Sequence, residues 1–113
     1  ILLKKIIHAI HNVKGKEVIS LDLRKIDSAI CEYFIICTGT SNIHTNAIEH
    51  SIRKEISKEI GEKPYSVEGN KAGEWILIDY LNIVIHIFQE EIRNFYSIEK
   101  LWGDAIFKNY KAS

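Results

Sequence analysis

The chain has 113 residues, with fifteen basic and fifteen acidic side chains and no formal net charge. That length fits one domain, 1–113, large enough to bury a core without metal or disulfide support. Zero net charge excludes a general electrostatic footprint for nucleic acid or an anionic membrane. No apolar run reaches the length needed to span a bilayer, and the start at Ile1 lacks the basic, apolar and small-residue order of a signal peptide. The expected location is therefore the cytoplasm. The absence of any Met, an initiator included, predicts a chain trimmed at its start. Cys31 and Cys37 match neither a zinc-ligand pair nor a Cys-x-x-Cys redox motif, so reduced, buried and inert thiols are expected.

Leu2, Leu3, Ile6, Ile7, Ile10 and Val13 recur at helical spacing, and Gly15 stands where a helix stop is expected. Val18 to Leu23 alternates as a half-buried strand does. Tyr33 to Cys37 is a denser apolar run that predicts a more central strand. After Gly39-Thr-Ser-Asn, the residues Ile43, Ala47, Ile48, Ile52, Ile56 and Ile60 form one helical stripe ending at Gly61, which predicts the longest helix. Pro64 separates it from a short strand over Tyr65 to Glu68, and Gly69 and Gly73 bracket a turn into Trp75.

From Trp75 to Phe88 the pattern predicts an antiparallel hairpin with a two-residue turn at Leu81 and Asn82. That register opposes Tyr80 to Ile83, Ile78 to Ile85 and Ile76 to Ile87, and gives one almost pure isoleucine face. The other face would hold Trp75, Leu77 and Asp79 beside Val84, His86 and Phe88. Rings, a carboxylate and an imidazole on one face exceed what core packing requires, so this face is a candidate binding surface. A third helix should begin near Glu90, with two leading glutamates at the positive end of its dipole and Phe95, Ile98, Leu101 and Trp102 as its apolar stripe. Beyond Trp102 the sequence reads as a short, partly polar tail.

Chemistry is sparse. The turn from Gly39 to Asn42 could offer backbone N–H groups to a phosphate, and it is faintly similar to the turn of nucleotidyltransferases. Those enzymes add paired carboxylates for divalent metal, whereas Asp79 stands alone on its strand. A plain N-cap at Ser41 or Asn42 is the simpler reading. His44 and His50 fall on different sides of their helix, and His8 and His11 lack a third ligand. Ser41 lacks the Gly-x-Ser-x-Gly turn of a nucleophile elbow. His86, in mid-strand among apolar residues, reads as a hydrogen-bonded structural imidazole with Asp79 as a possible partner. Arg93 and Tyr96 share a helix face, with Glu68, Asp79 and Glu91 as possible charge partners. They fit a structural salt bridge or a partner surface equally.

The strings EWILIDY, IVIHIF and EEIRNFYSIEKLWGDA, preceded by SLDLRKI, EYFIICTGTSNIHTNAIE and PYSVEG, resemble in order and spacing the ribosomal silencing factor, or Iojap-related, family. The resemblance runs from Leu2 to Ala105. One departure is Leu81, where the family usually has a small turn residue such as Gly. Leucine suits a positive-φ turn poorly.

Together these readings predict an α/β fold with a mixed five-stranded sheet and about three helices. The long helix after Thr38 should act as a crossover. The resemblance implies a nucleotidyltransferase-like topology without a catalytic set, and a role that is not enzymatic and uses no cofactor. It implies a translational repressor that binds the fourteenth protein of the large-subunit series at the intersubunit face and blocks joining of the small subunit. Little direct nucleic acid contact, no membrane partner and a homodimer in the free state are expected. Trp75, Leu77, Asp79, His86, Arg93 and Tyr96 are the partner-contact candidates. The alternative is a small nucleotidyltransferase-like enzyme using Gly39 to Asn42, with Asp22 or Glu68 joining Asp79.

Overall fold

A computed structural model describes residues 2–112. The elements in order are α1 (Leu2–Asn12), β1 (Lys16–Asp22), β2 (Tyr33–Gly39), α2 (Asn42–Glu59), β3 (Ser66–Glu68), β4 (Trp75–Asp79), β5 (Ile83–Gln89), α3 (Glu90–Tyr96), α4 (Ile98–Leu101) and β6 (Ile106–Tyr110). The strands form one mixed sheet in the order β3-β4-β5-β2-β1-β6. β2 and β5 run parallel at its centre, and the remaining neighbours are antiparallel. A parallel pair needs a crossover, which α2 supplies together with β3 and β4. Strands buried on both faces read as continuous apolar runs, and β2 and β5 carry the densest ones.

The hairpin has the expected register: Ile76 opposes Ile87, Ile78 opposes Ile85, and the Tyr80 N–H donates to the Ile83 carbonyl. Its isoleucines lie in one core with Ile6, Ala9 and Ile10 of α1 and Ile48, Ile52 and Ile56 of α2, all fully buried. Helices thus cover the isoleucine face. At the turn, Leu81 has a φ of 72°, and the Asn82 N–H donates to the Tyr80 carbonyl at 2.9 Å, the pattern of a γ-turn. Such a turn places Leu81 in the left-handed region that its side chain disfavours.

The sheet has six strands, not five, because the expected tail is β6. Every residue from Ile106 to Asn109 is exposed, so no alternation of burial marks the strand. It forms because β1 would otherwise present an open row of backbone donors and acceptors. Val18 opposes Tyr110, Asp22 opposes Ile106, and the Ser20 and Tyr110 hydroxyls share a 3.0 Å hydrogen bond.

The third helix also departs from expectation. Ser97 takes a left-handed conformation, with φ 44°, and divides the helix into α3 and α4. The expected stripe is broken: Ile98 is buried, whereas Phe95 and Leu101 are 80 % and 76 % exposed. Ile43 likewise leaves the α2 stripe for solvent, and Thr45 and Glu49 join the inward face. After α1 the left-handed residue is Lys14, not Gly15. Gly15 is small because a Cβ there would collide with Ile10. Among the described residues no helix is long and apolar enough to cross a membrane.

Candidate functional site

The mixed face of the hairpin is not an open surface. α3, α4 and the segment 23–32 fold over it, Val84 and Phe88 enter a second core with Leu21, Leu23, Phe34, Ile36 and Ile98, and the buried His86 ring packs against Phe34 and Phe88 of that core. Trp75, Leu77 and Asp79, one strand nearer the edge, remain half-buried. Covering a face on both sides of a sheet follows from its apolar content, since rings left in water would forfeit burial energy.

Trp75 is the pivot of what stays accessible. Its ring lies 4.8 Å from Phe88 beneath it and 4.8 Å from Tyr96 on α3, at interplanar angles of 32° and 47°. Tyr96 is half-exposed, and Phe95 meets it edge-on at 5.0 Å. Trp75 and Leu77 also line a depression of about 210 Å³ with Glu68 and Gly69. Gly69 has a φ of 83° and backs directly onto the Trp75 carbonyl, so any side chain there would displace β4.

His86 partners Trp75 rather than Asp79. The indole Nε1–H donates to His86 Nδ1 at 3.1 Å. Indole nitrogen is a donor only, so Nδ1 carries no proton and the neutral ring holds its hydrogen on Nε2. Burial pushes the His86 pKa down to about 4, which keeps that ring neutral near pH 7. Trp75 and Asp79 each lie two residues along β4 from Leu77, which opposes His86, and it is the long indole that spans this diagonal. The Asp79 carboxylate instead accepts the Leu81 N–H at 2.7 Å and holds the hairpin turn.

Arg93 is buried, with 7 % exposure. It donates to Glu99 Oε2 at 3.1 Å, to Thr38 Oγ1 at 2.8 Å and to the main-chain carbonyl of Glu17 at 2.7 Å. Its charge partner is therefore Glu99, with Glu17 Oε2 more distant at 3.9 Å, and not Glu68, Asp79 or Glu91. Glu99 lies on the far side of the Ser97 break, where helical spacing gave no clue. Glu17 sits in a register shift of β1 with φ 48°, which turns its carbonyl toward the guanidinium.

The six candidates thus separate by depth. Tyr96, Trp75, Leu77 and Asp79 reach the surface, whereas His86 and Arg93 lie beneath it and hold neighbouring groups. Phe95 and Leu101, read from sequence as core, are exposed apolar side chains on the same helical segment.

The turn from Gly39 to Asn42 is tied into the first turn of α2 by hydrogen bonds within the chain. Thr40 N–H goes to His44 Nδ1 at 2.9 Å, His44 N–H to the capping Ser41 Oγ at 3.1 Å, and Thr45 N–H to the Ser41 carbonyl at 2.9 Å. His44 Nε2 in turn donates to the Val13 carbonyl at 2.7 Å. A second carboxylate does not meet Asp79. Asp22 lies three strands away, about 14 Å at ordinary strand spacing, and is held below the usual carboxyl range by its hydrogen bond from Arg24. Glu68 opposes Leu77 rather than Asp79. Among the described residues no group of three His, Cys, Asp or Glu side chains could hold a metal ion.

A family described as "Ribosomal silencing factor during starvation" matches residues 2–112. The chain is 36% identical over 104 residues to the ribosomal silencing factor of Halalkalibacterium halodurans, covering 92% of this chain and 87% of that protein. A maize protein named "Protein Iojap, chloroplastic" is 37% identical over 76 residues, covering 65% of this chain and 31% of its own length. A solved crystal structure from Chromobacterium violaceum superposes with a TM-score of 0.84 at 36% identity, covering 90% of this chain and 83% of that one.

Proposed function

The chain belongs to the ribosomal silencing factor family, and on that membership we propose that it represses translation by occupying the large ribosomal subunit. It binds the fourteenth large-subunit protein at the intersubunit face and obstructs joining of the small subunit. The observation that carries this reading is the Trp75–Tyr96 pair, a half-buried indole against a half-exposed phenol 4.8 Å away, bordered by exposed Phe95. Aromatic side chains with a desolvated base and an accessible edge are where binding energy concentrates at protein interfaces. Leu77 and the Asp79 carboxylate flank the pair on β4. Obstruction needs only a stable, specific and bulky body, so the role asks for no catalysis and no cofactor. We read the topology as nucleotidyltransferase-like with that chemistry unused.

Contact with ribosomal protein dominates over contact with nucleic acid in this reading. The free protein is a cytoplasmic homodimer of a single-domain chain.

A sucrose gradient with added pure protein tests the proposal. Cosedimentation with free large subunits and exclusion from assembled ribosomes is the expected result, and equal occupancy of both particles would sink it. Calorimetric titration with nucleoside triphosphate and magnesium should be flat. A saturable heat abolished by Asp79→Asn would favour the nucleotidyltransferase-like enzyme instead.

A further inference from the structure

His86 has no access to a partner, yet one of its two nitrogens holds the half-buried indole on which Tyr96 packs. Nδ1 takes the Trp75 indole proton at 3.1 Å, while Nε2 is buried with no hydrogen-bond partner among the described residues. A buried N–H without an acceptor is costly, and an apolar residue of similar shape would avoid that cost. The imidazole is wedged between rings: Phe34 stands edge-on at 4.7 Å, and Phe88 lies parallel at 6.0 Å. Phe88 also packs on the indole. Ring packing alone would leave the indole able to slide, whereas one hydrogen bond to a fixed acceptor sets its rotation.

We propose that His86 is a positioning residue which locks the Trp75 indole in the orientation the partner meets, and that Trp75 consequently acts as a purely apolar anchor. This rests on the silencing reading for the identity of the partner surface. With its one proton given to His86, the indole offers the partner no donor. The partner group seated there is therefore an apolar or aromatic side chain, not a carbonyl or carboxylate. An anchor fixed before binding loses little rotamer entropy on association.

The test combines a binding cycle with a spectroscopic reading of the free protein. His86→Phe removes the acceptor and keeps a ring, so the melting point should be held or raised, while affinity for purified large subunits falls about tenfold. In a Trp75→Phe background, which has no indole proton, the same His86→Phe change should cost less than about twofold. The Trp75 indole ¹H–¹⁵N resonance should move upfield and broaden in His86→Phe, and His86→Gln, which restores an acceptor, should recover part of both effects. Equal losses of affinity in the two backgrounds, or an unmoved indole resonance, would overturn the proposal. If wild-type protein binds no large subunits, the silencing reading fails on its own, and the indole resonance still decides whether His86 locks Trp75.

Discussion

Arg93 donates Nη1–H to the main-chain carbonyl of Glu17 at 2.7 Å, joining the helix that follows β5 to the irregular start of β1. The same nitrogen reaches Thr38 Oγ1 on β2, and Nε holds Glu99 across the Ser97 break. One guanidinium therefore ties α3, α4, β1 and β2 together and fixes the base of the helix that carries Tyr96. Arg93→Ala leaves a carboxylate and a carbonyl without their donor, and should cost about 3 kcal/mol in urea unfolding. Arg93→Lys should recover less than half of that, because an ammonium cannot serve three acceptors arranged for a planar fork.

Leu81→Gly should stabilise the protein. Leu81 is 60 % exposed, so little packing is lost, and its φ of 72° is a conformation that glycine adopts without strain. Relief of that strain outweighs the greater unfolded-state freedom of glycine, for a net gain of about 1 kcal/mol. A denaturation midpoint that fell in Leu81→Gly would show that the leucine side chain packs more than it strains.

The two thiols should differ sharply in reactivity. Cys37 is fully buried, and burial pushes its pKa up to about 12, while half-buried Cys31 is raised as well. Since the thiolate is the nucleophile, Cys37 should react with a thiol reagent only when the protein unfolds, and Cys31 slowly in the native state. Rapid release of two equivalents from folded protein would contradict this placement.

What was legible in the sequence follows the periodicities that one element can carry alone. Ile76, Ile78, Ile85 and Ile87 alternate, so the register and the face under α1 and α2 could be read directly. The cover of the opposite face leaves no such periodicity, because it comes from the irregular segment 23–32 and from chain that returns after a break. Nothing before Ser97 signals that a non-glycine residue will turn left-handed there, and only that turn brings Ile98 and Glu99 back over β5 and Arg93. β6 stayed hidden for a related reason. Its residues are chosen for backbone pairing with β1, and exposed side chains leave no pattern of burial. The mid-strand position of His86 marks a structural imidazole, but its partner depends on a cross-strand offset of two residues that distinguishes Trp75 from Asp79 only through side-chain direction.

The buried imidazole gives the fold a defined acid sensitivity. His86 titrates at about 4 when folded against an ordinary 6.5, so below pH 6.5 the unfolded chain takes up a proton that the folded protein refuses. The unfolded state then binds more protons, and stability falls as pH drops from 6.5 toward 4, by about 3 kcal/mol for this residue. Above pH 6.5 the contribution is fully present. The carboxyls of Glu59 and Asp22, held low by hydrogen bonds from Lys5 and Arg24, add losses only below their ordinary values of 4.5 and 3.8. Urea midpoints measured between pH 4 and 7 should therefore slope in the wild type and be nearly level in His86→Phe. Parallel slopes would assign the acid sensitivity to other groups.

The two faces of the hairpin should yield separable phenotypes. Ile85 is fully buried between helices and sheet, and Ile85→Ala removes methyl groups from a core that collapses only partly around the gap. The expected loss of stability is about 2–5 kcal/mol, with affinity unchanged among molecules that remain folded. Trp75 lies on the other face with one edge reaching the surface, so Trp75→Ala should weaken binding to large subunits by about 2 kcal/mol or more if it anchors the partner. Its stability loss should be the smaller of the two, because the indole of a half-buried residue leaves part of its gap open to solvent rather than as an enclosed void. Denaturant melts and binding isotherms on both variants decide the matter. If Trp75→Ala unfolds the protein as readily as Ile85→Ala, or leaves binding untouched, the partner surface lies elsewhere, and the exposed Phe95 and Leu101 become the next positions to substitute.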